Sequence, residues 1–306
     1  MIRVHLIFGC TATGKAKAGL EVANRLGAEI VSVDSMKVYR RMDIGTAKPS
    51  PAVRQQVPHH CLDLVEPSES FSVARYIEHA DKAIADISSR GRPILVVGGT
   101  ALYIKALTEG LFEGPGGNPA VRQAILNRAA ALGLPALHAE LARHDPPAAA
   151  RIHPNDEKRI VRALEVLELT GQPISRLQRQ WDQQRRYDAV MIGLRLPRAD
   201  ANHRINARVK RMVEAGLRDE VAALLAEPAG LSPQAAQALG YAEMIRHLRG
   251  EWTLEQATEQ IKVNTRQFAK HQRTWFRRFA NVHWLDLAAD ETAQPVVERI
   301  LPLIGV

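Results

Sequence analysis

Short apolar runs alternate with longer amphipathic stretches along the first hundred residues of the chain. The runs at Arg3–Phe8, Glu29–Val33 and Arg92–Val97 are apolar at consecutive positions and rich in β-branched residues, which is typical of strands buried on both faces of a parallel sheet. A helical pattern from Gly14 to about Leu26 separates the first two runs. This alternation predicts an α/β fold with a parallel sheet.

The pattern changes after a loop of glycine, proline and asparagine at Gly114–Pro119. Three helical patterns follow, at Val121–Leu132, Pro135–Arg143 and Asp156–Thr170. Beyond them come a strand at Ala189–Leu196, helices at about 200–226 and 253–279, and a strand at Val282–Leu287. We therefore predict an α/β core formed by residues 1–114 and 186–306, interrupted by a helical insertion at 115–185.

Composition narrows the class of protein. The chain has 306 residues, 46% hydrophobic and 24% charged, as expected of a globular protein, and no apolar run approaches the roughly 20 residues of a membrane span. Its first residues read as a strand, which argues against a secretory signal. Two cysteines, Cys10 and Cys61, are too few for a disulfide framework or a four-cysteine zinc site. We expect a cytoplasmic monomer.

The chain is basic, with 41 Lys and Arg against 33 Asp and Glu. From Lys262 to Arg278 there are six basic side chains and no acidic one. Five cations recur there at helical spacing, which predicts one basic face: Lys262, Arg266, Lys270, Arg273 and Arg277. The opposite face should pack in the core: Ile261, Phe268, Trp275 and Phe279. This asymmetry favours an anionic partner, with nucleic acid as the leading candidate.

A glycine-rich segment lies between the first strand and the first helix. It matches the phosphate-loop pattern G-x-x-x-x-G-K, in which backbone N–H groups wrap a phosphate at a helix N-terminus. The loop residues are Gly9, Cys10, Thr11, Ala12, Thr13, Gly14, Lys15 and Ala16. The strand–loop–helix context is what the motif requires, so we predict a P-loop NTPase-like core with a phosphate or pyrophosphate site.

The last position of this P-loop departs from the pattern. A Ser or Thr hydroxyl normally ligates Mg²⁺ there, and this chain has Ala16. The nearby hydroxyls of Thr11 and Thr13 are the candidates to compensate. No metal site is therefore assigned to particular residues from the sequence. The pair His59-His60 has no neighbouring ligands at metal-site spacing, so we expect a structural or substrate-lining role for it.

A carboxylate ends the second strand. Asp34 is placed where ligands approach an open parallel sheet, and it could act as a general base or hold a metal-bound water. The alternative is that Asp34 only caps a helix. The third strand ends in Gly98-Gly99 without an acid, which argues against a small-molecule kinase.

Beyond the P-loop, a series of motifs spans almost the whole chain. In order, they are Ser32–Tyr39, Met42–Pro49, Pro58–His60, Gly98–Thr100 before Leu102-Tyr103, Pro154–Asp156 running into Arg159 and Arg162–Glu165, Gly240-Tyr241 and Thr265–Phe276. With these motifs the chain resembles the tRNA dimethylallyltransferase family. The resemblance departs from the family pattern at Cys10, Ala16 and His271, where the family usually has Pro, a hydroxyl residue and Arg.

The resemblance implies a reaction. The exocyclic N6 of an adenosine next to the anticodon attacks C1 of dimethylallyl diphosphate, and pyrophosphate leaves. By this resemblance Lys15 and the loop amides stabilise pyrophosphate with the help of Mg²⁺, Asp34 is the catalytic base and Thr100 contacts the same region. The other positions implied to bind tRNA are Ser35, Met36, Lys37, Arg122, Lys158, Arg159, Ile160, Val161 and Arg162, with Arg266, Lys270, Arg273 and Arg277 on the basic helix. The insertion is expected to bind the anticodon arm.

Two alternatives share these motifs. An adenylate isopentenyltransferase would use the same chemistry on a free nucleotide, but it needs neither the insertion nor the basic helix. A tRNA-binding homologue with a weakened active site is suggested by Ala16. An assay of prenyl transfer separates these hypotheses. Transfer to a tRNA stem-loop supports the tRNA enzyme, transfer to AMP supports the free-nucleotide enzyme, and transfer to neither supports the weakened homologue.

Overall fold

The computed structural model describes residues 1–111, 114–178 and 186–305. The chain divides into two compact units: Met1–Thr108 with the chain from Tyr187 onward, and Glu109–Arg186. The sequence placed the insertion at 115–185, of which 179–185 lie outside the described residues. In the described part of the chain, no helix is both long enough and apolar enough to cross a bilayer.

The first unit is built on a parallel sheet. Its strands, among the described residues, are β1 (Arg3–Gly9), β2 (Glu29–Val33), β3 (His59–His60), β4 (Ile94–Gly98), β5 (Asp188–Arg195) and β6 (Val282–Asp286). They pair in the order β3-β2-β4-β1-β5-β6, every pair parallel. The predicted α/β fold with a parallel sheet is confirmed. β3 was not predicted, because two residues are too short to show a pattern.

Helices surround the sheet and make up the second unit. They are α1 (Lys15–Leu26), α2 (Pro51–Gln56), α3 (Val73–Ser89), α4 (Ala101–Glu109), α5 (Pro119–Leu132), α6 (Leu134–His144), α7 (Pro146–Ala149), α8 (Glu157–Thr170), α9 (Ile174–Leu177), α10 (Arg198–Glu214), α11 (Leu217–Ala226), α12 (Pro233–Ala236), α13 (Tyr241–Leu248), α14 (Leu254–Phe276) and α15 (Ala293–Ile300). A 3₁₀ turn at Leu301–Ile304 follows.

One predicted helix proves to be two. The sequence indicated a single helix at 200–226, but α10 ends at Glu214 and α11 begins at Leu217. Gly216, at φ 96°, adopts the left-handed conformation that only glycine takes without strain, and this turns the chain between the two helices.

The second unit has its own apolar core. Ile125 of α5, Leu141 of α6 and Leu164 of α8 are fully buried against one another and their neighbours. The predicted start of α8 is confirmed, because the Asp156 carboxylate accepts a hydrogen bond from the Arg159 backbone N–H at 3.2 Å. These three helices match the three predicted for this region.

Aromatic packing joins α14 to the sheet. The ring of Phe8, near the end of β1, makes edge contacts with Phe276, Phe279 and Trp284 at centroid distances of 5.0, 5.6 and 5.5 Å. α14 is thereby held beside the point where the P-loop begins. Of the four residues predicted to pack in the core, Ile261 and Phe279 are buried, Trp275 is half-buried, and the prediction for Phe268 is wrong, since 41% of this residue is exposed. The buried face of α14 consists of Ala257, Ile261, Ala269, Gln272 and Phe276.

Candidate active site

Three loops meet at one edge of the sheet, because β2, β4 and β1 are neighbouring parallel strands. The loop after β1 is the predicted P-loop, the loop after β2 contains Asp34, and the loop after β4 contains Thr100. Ligands of open parallel sheets bind at this carboxyl edge. The structure therefore brings together the segments that hold all three predicted catalytic residues.

The P-loop is closed by hydrogen bonds to one carbonyl. The Lys15 ammonium (3.1 Å) and the Thr13 hydroxyl (2.9 Å) both donate to the Cys10 carbonyl oxygen. Ala12 and Gly14 have φ values of 65° and 89°, and Gly14 precedes the first turn of α1. Left-handed residues within such a loop form the concave backbone that binds anions at a helix N-terminus.

A glutamine on α14 fastens the P-loop to the loop after β4. The Gln272 amide oxygen accepts the Thr11 backbone N–H at 2.8 Å, and its amide nitrogen donates to the Gly99 carbonyl oxygen, also at 2.8 Å. Gly99 lies close to the P-loop lysine, since a Cβ atom at this position would stand 3.4 Å from Cε of Lys15. Sequence reasoning missed Gln272, although a polar residue on the apolar face of a helix was an available signal.

We expect a Gln272→Met substitution to lower the free energy of unfolding by about 1–3 kcal/mol, because it leaves the buried Gly99 carbonyl and the partly buried Thr11 N–H without their partner. Urea denaturation monitored by circular dichroism measures the change. Gln267→Met, at an exposed position of the same helix, is the matched control. Equal stability of the two variants would contradict the fastening role of Gln272.

Three cations and one carboxylate lie within electrostatic range of one another beside the P-loop. Burial, followed by the nearby charges of Arg208 and Lys37, lowers the pKa of Lys15 to about 8, and the charge of Asp34 opposes this shift. Burial also lowers the pKa of Lys37 and of Arg208, with Asp34 again the opposing charge. A cluster in which cations outnumber acids and lose their hydration favours a bound anion.

Arg208 was not predicted from the sequence. It lies on α10, and its guanidinium donates to the Thr11 hydroxyl oxygen at 3.0 Å. Arg204, Arg208 and Arg211 recur at spacings of four and three, which places them on one helix face. That spacing was the signal available in the sequence.

Asp34 and Thr100 organise the loop after β2. Oδ1 of Asp34 accepts the backbone N–H groups of Met36 (2.9 Å) and Lys37 (3.3 Å), and the Thr100 hydroxyl oxygen accepts that of Ser35 (3.0 Å). Asp34 thus caps a turn, whereas the structural alternative expected it to cap a helix. Its Oδ2 accepts no hydrogen bond from the described residues, so one oxygen is left for a substrate proton.

A cleft of about 1430 Å³ opens beside the P-loop. Ala12–Ala18 and one face of α10 line it, together with residues between Arg40 and Arg54. Its described lining includes nine Lys and Arg side chains and three Asp and Glu. The acids are already paired: Asp43 and Asp63 with Lys48, and Glu291 with Arg299. The cleft therefore offers a net positive field to a ligand.

The P-loop side chains do not fit the usual ligation of Mg²⁺. Ala16 places an exposed methyl where the motif has a hydroxyl, Thr13 donates its buried hydroxyl to Cys10, and Thr11 receives Arg208. Neither threonine compensates. Within the described residues, no group of three or more His, Cys, Asp or Glu side chains could hold a metal ion. His60 pairs with Glu29 at 2.7 Å instead.

The residues expected to bind tRNA on α8 and nearby fall into three classes. Lys158 and Arg159 are exposed at the start of α8. The Ile160 and Val161 side chains are 0% and 4% exposed in the core of their unit, so the expected side-chain contact with tRNA is corrected for these two. Arg122 and Arg162 both bind the fully buried Glu165 carboxylate, at 2.9 and 2.8 Å.

The predicted basic face of α14 also contains both exposed cations and cations that contact protein groups. Lys270 and Arg277 are exposed, whereas Arg266 donates to Asn206 and Arg273 lies against the Cys10 thiol. Burial raises the pKa of this thiol, and Arg273 opposes the shift. The sequence suggested that this face has no acid nearby, but Lys262 pairs with Glu259 at 2.6 Å.

Comparison with known proteins gives consistent matches. A family model described as IPP transferase matches residues 37–279. The chain is 47% identical to the tRNA dimethylallyltransferase of Geobacter metallireducens over 93% of this chain and 92% of the relative. It is also 47% identical to that of Anaeromyxobacter dehalogenans, over 98% and 97%.

Solved structures agree with these matches. The tRNA isopentenylpyrophosphate transferase of Bacillus halodurans is 41% identical, with a TM-score of 0.71 over 99% of this chain and 97% of that one. A eukaryotic dimethylallyltransferase acting on tRNA is 27% identical, with a TM-score of 0.78 over 94% and 74%.

Proposed function

The chain belongs to the IPP transferase family, and we propose from this premise that it transfers a dimethylallyl group from dimethylallyl diphosphate to N6 of an adenosine adjacent to the anticodon in tRNA. The observation that supports the proposal most directly is that Lys15 and Arg208 both contact the P-loop and lie, with Lys37, within electrostatic range of Asp34. This arrangement combines an anion site with a carboxylate in one place.

At C1 of the dimethylallyl group the reaction forms one bond and breaks another, and N6 also loses a proton. N6 attacks C1 of the dimethylallyl group, the C1–O bond breaks, and pyrophosphate leaves with the bonding electrons. Lys15, Arg208 and the loop amides stabilise the charge that develops on the leaving group. Asp34 takes the N6 proton on Oδ2 while Oδ1 keeps the loop in place. The adenine must leave its stack to reach this position.

Any Mg²⁺ that enters this site would be held by diphosphate oxygens and water. Mg²⁺ commonly keeps several water ligands and binds through substrate phosphates. The P-loop of this chain offers it no hydroxyl in addition.

We also propose that exposed cations hold the RNA backbone: Lys158 and Arg159 of the helical insertion, Lys270 of α14 and Arg277 at the C-terminal cap of α14. Among the described residues, Lys158, Lys270 and Arg277 form no ion pair, and Arg159 pairs only with Asp156 at 3.4 Å, so these side chains can reach phosphates. The proposal therefore assigns RNA-backbone binding to exposed cations in each of the two units.

We expect the double variant Lys270→Ala/Arg277→Ala to bind a tRNA stem-loop more weakly and with a shallower salt dependence. The slope of log affinity against log salt should fall by about one for each phosphate that the variant no longer neutralises. Fluorescence anisotropy at several salt concentrations measures this slope. Lys82→Ala, at an exposed position on α3, is the control, and an unchanged slope in the double variant would remove this helix from the interface.

Mass analysis of an anticodon stem-loop incubated with the chain, dimethylallyl diphosphate and Mg²⁺ tests the proposed function. We expect one dimethylallyl group to replace one hydrogen on the target adenosine, and no change when that adenosine is replaced by guanosine. Prenylation of AMP without the stem-loop would favour the free-nucleotide alternative. Binding of the stem-loop without transfer at any Mg²⁺ concentration would favour the inactive homologue.

A further inference from the structure

The anion site of this chain has lost a metal ligand while keeping an excess of cations. Ala16 is exposed at the start of α1, the Thr13 hydroxyl is buried and donates to the Cys10 carbonyl, and the Thr11 hydroxyl oxygen accepts the Arg208 guanidinium, whose positive charge repels a cation. A divalent ion in the usual P-loop position would therefore have no protein ligand among the described residues of the loop.

Cationic side chains lie close enough to the P-loop to neutralise a bound diphosphate in place of a metal ion. Arg208 reaches the P-loop at Thr11, and Lys15 lies in the loop itself. Lys37 follows the turn that Asp34 caps and lies within electrostatic range of Lys15 and Arg208. Arg211 lies within electrostatic range of Arg208, and Lys48 and Arg54 lie within range of Lys37, so the cations here outnumber the one opposing carboxylate, that of Asp34.

We propose that Lys37 and Arg208, together with Lys15, neutralise the diphosphate leaving group in place of a P-loop-bound divalent ion, so that diphosphate binding by this chain depends only weakly on Mg²⁺. The proposal rests on the proposed function for the identity of the leaving group. It assigns the Lys37 side chain to the diphosphate, whereas the resemblance implied that this position binds tRNA. No further reactant is needed, since pyrophosphate departs with the electrons of the C1–O bond.

Binding of inorganic pyrophosphate, measured by calorimetry in EDTA and in excess Mg²⁺, tests the proposal without tRNA or catalysis. We expect the affinity of the wild-type chain to change by less than about threefold between the two conditions. The Ala16→Thr variant restores the P-loop hydroxyl that ligates the metal. The affinity of this variant for pyrophosphate should rise by about tenfold or more when Mg²⁺ is added. Asn24→Thr, at an exposed position of α1, controls for placing threonine in this helix.

Two further variants test the named cations. Lys37→Met and Arg208→Met should each weaken pyrophosphate binding in EDTA by about tenfold or more, with circular dichroism confirming that each variant is folded. Wild-type binding that disappears in EDTA, or variants that bind as well as the wild type, would overturn the proposal. Metal-independent pyrophosphate binding without prenyl transfer would support it while rejecting the proposed function, so the two can fail separately.

Discussion

An Asp34→Asn variant is expected to lose about 10²–10⁴-fold in the rate of prenyl transfer, the usual contribution of a general base. Asparagine keeps an oxygen at the position of Oδ1, which accepts the backbone N–H groups of Met36 and Lys37, so the turn should persist. It cannot take up the N6 proton. The substitution therefore removes the chemical role of Asp34 while preserving its structural role.

Single-turnover rates with saturating stem-loop and dimethylallyl diphosphate measure this loss. Asp34→Ala, which removes both roles, is the comparison, and stem-loop affinity should change little in the asparagine variant. A rate near that of the wild type for Asp34→Asn, together with a slow Asp34→Ala variant, would show that Asp34 acts only by holding the turn.

A Lys15→Met variant is expected to lose about 10²–10³-fold in kcat/KM for dimethylallyl diphosphate, because a preorganised charge at the leaving group disappears. Methionine retains most of the apolar stem of lysine, so packing should change little. Steady-state kinetics at fixed, saturating stem-loop measure the loss. Lys82→Met is the control on an exposed helix face, and a comparable rate for the two variants would exclude Lys15 from diphosphate stabilisation.

Lys15 also predicts a pH dependence with a definite sign. Burial lowers its pKa to about 8, so in the free enzyme the ammonium loses its proton as the pH rises through that value. Only the charged form attracts the diphosphate, so kcat/KM of the wild-type chain should fall above about pH 8, and this decline should be absent in Lys15→Met.

The parts of the site that follow strands could be predicted from the sequence. Parallel strands have short apolar runs, and a P-loop motif specifies its own backbone, so Lys15 and Asp34 could be placed at the carboxyl edge. The catalytic and binding roles assigned there stay predictions. Gln272 and Arg208 were missed because their importance depends on contacts with the P-loop across 261 and 197 residues of sequence.

Charge and periodicity were less reliable guides to which side chains reach a ligand. Arg122 and Arg162 match the expected tRNA positions, yet both bind the buried carboxylate of Glu165. The sequence shows their charges but not that a third residue engages them. The prediction for Phe268 is wrong for a related reason, since helical spacing gives the buried face of α14 only to within a fraction of a turn.

The contact between Gln272 and the P-loop has a consequence for how this protein is made on the ribosome. The loop is among the first segments synthesised, but its fastening residue emerges only after most of the chain has been translated. β1 must likewise wait for β5, its neighbour on one side, until the whole intervening insertion has been translated. Non-local pairings of this kind form slowly. We therefore expect nascent chains released before α14 to be unable to retain pyrophosphate.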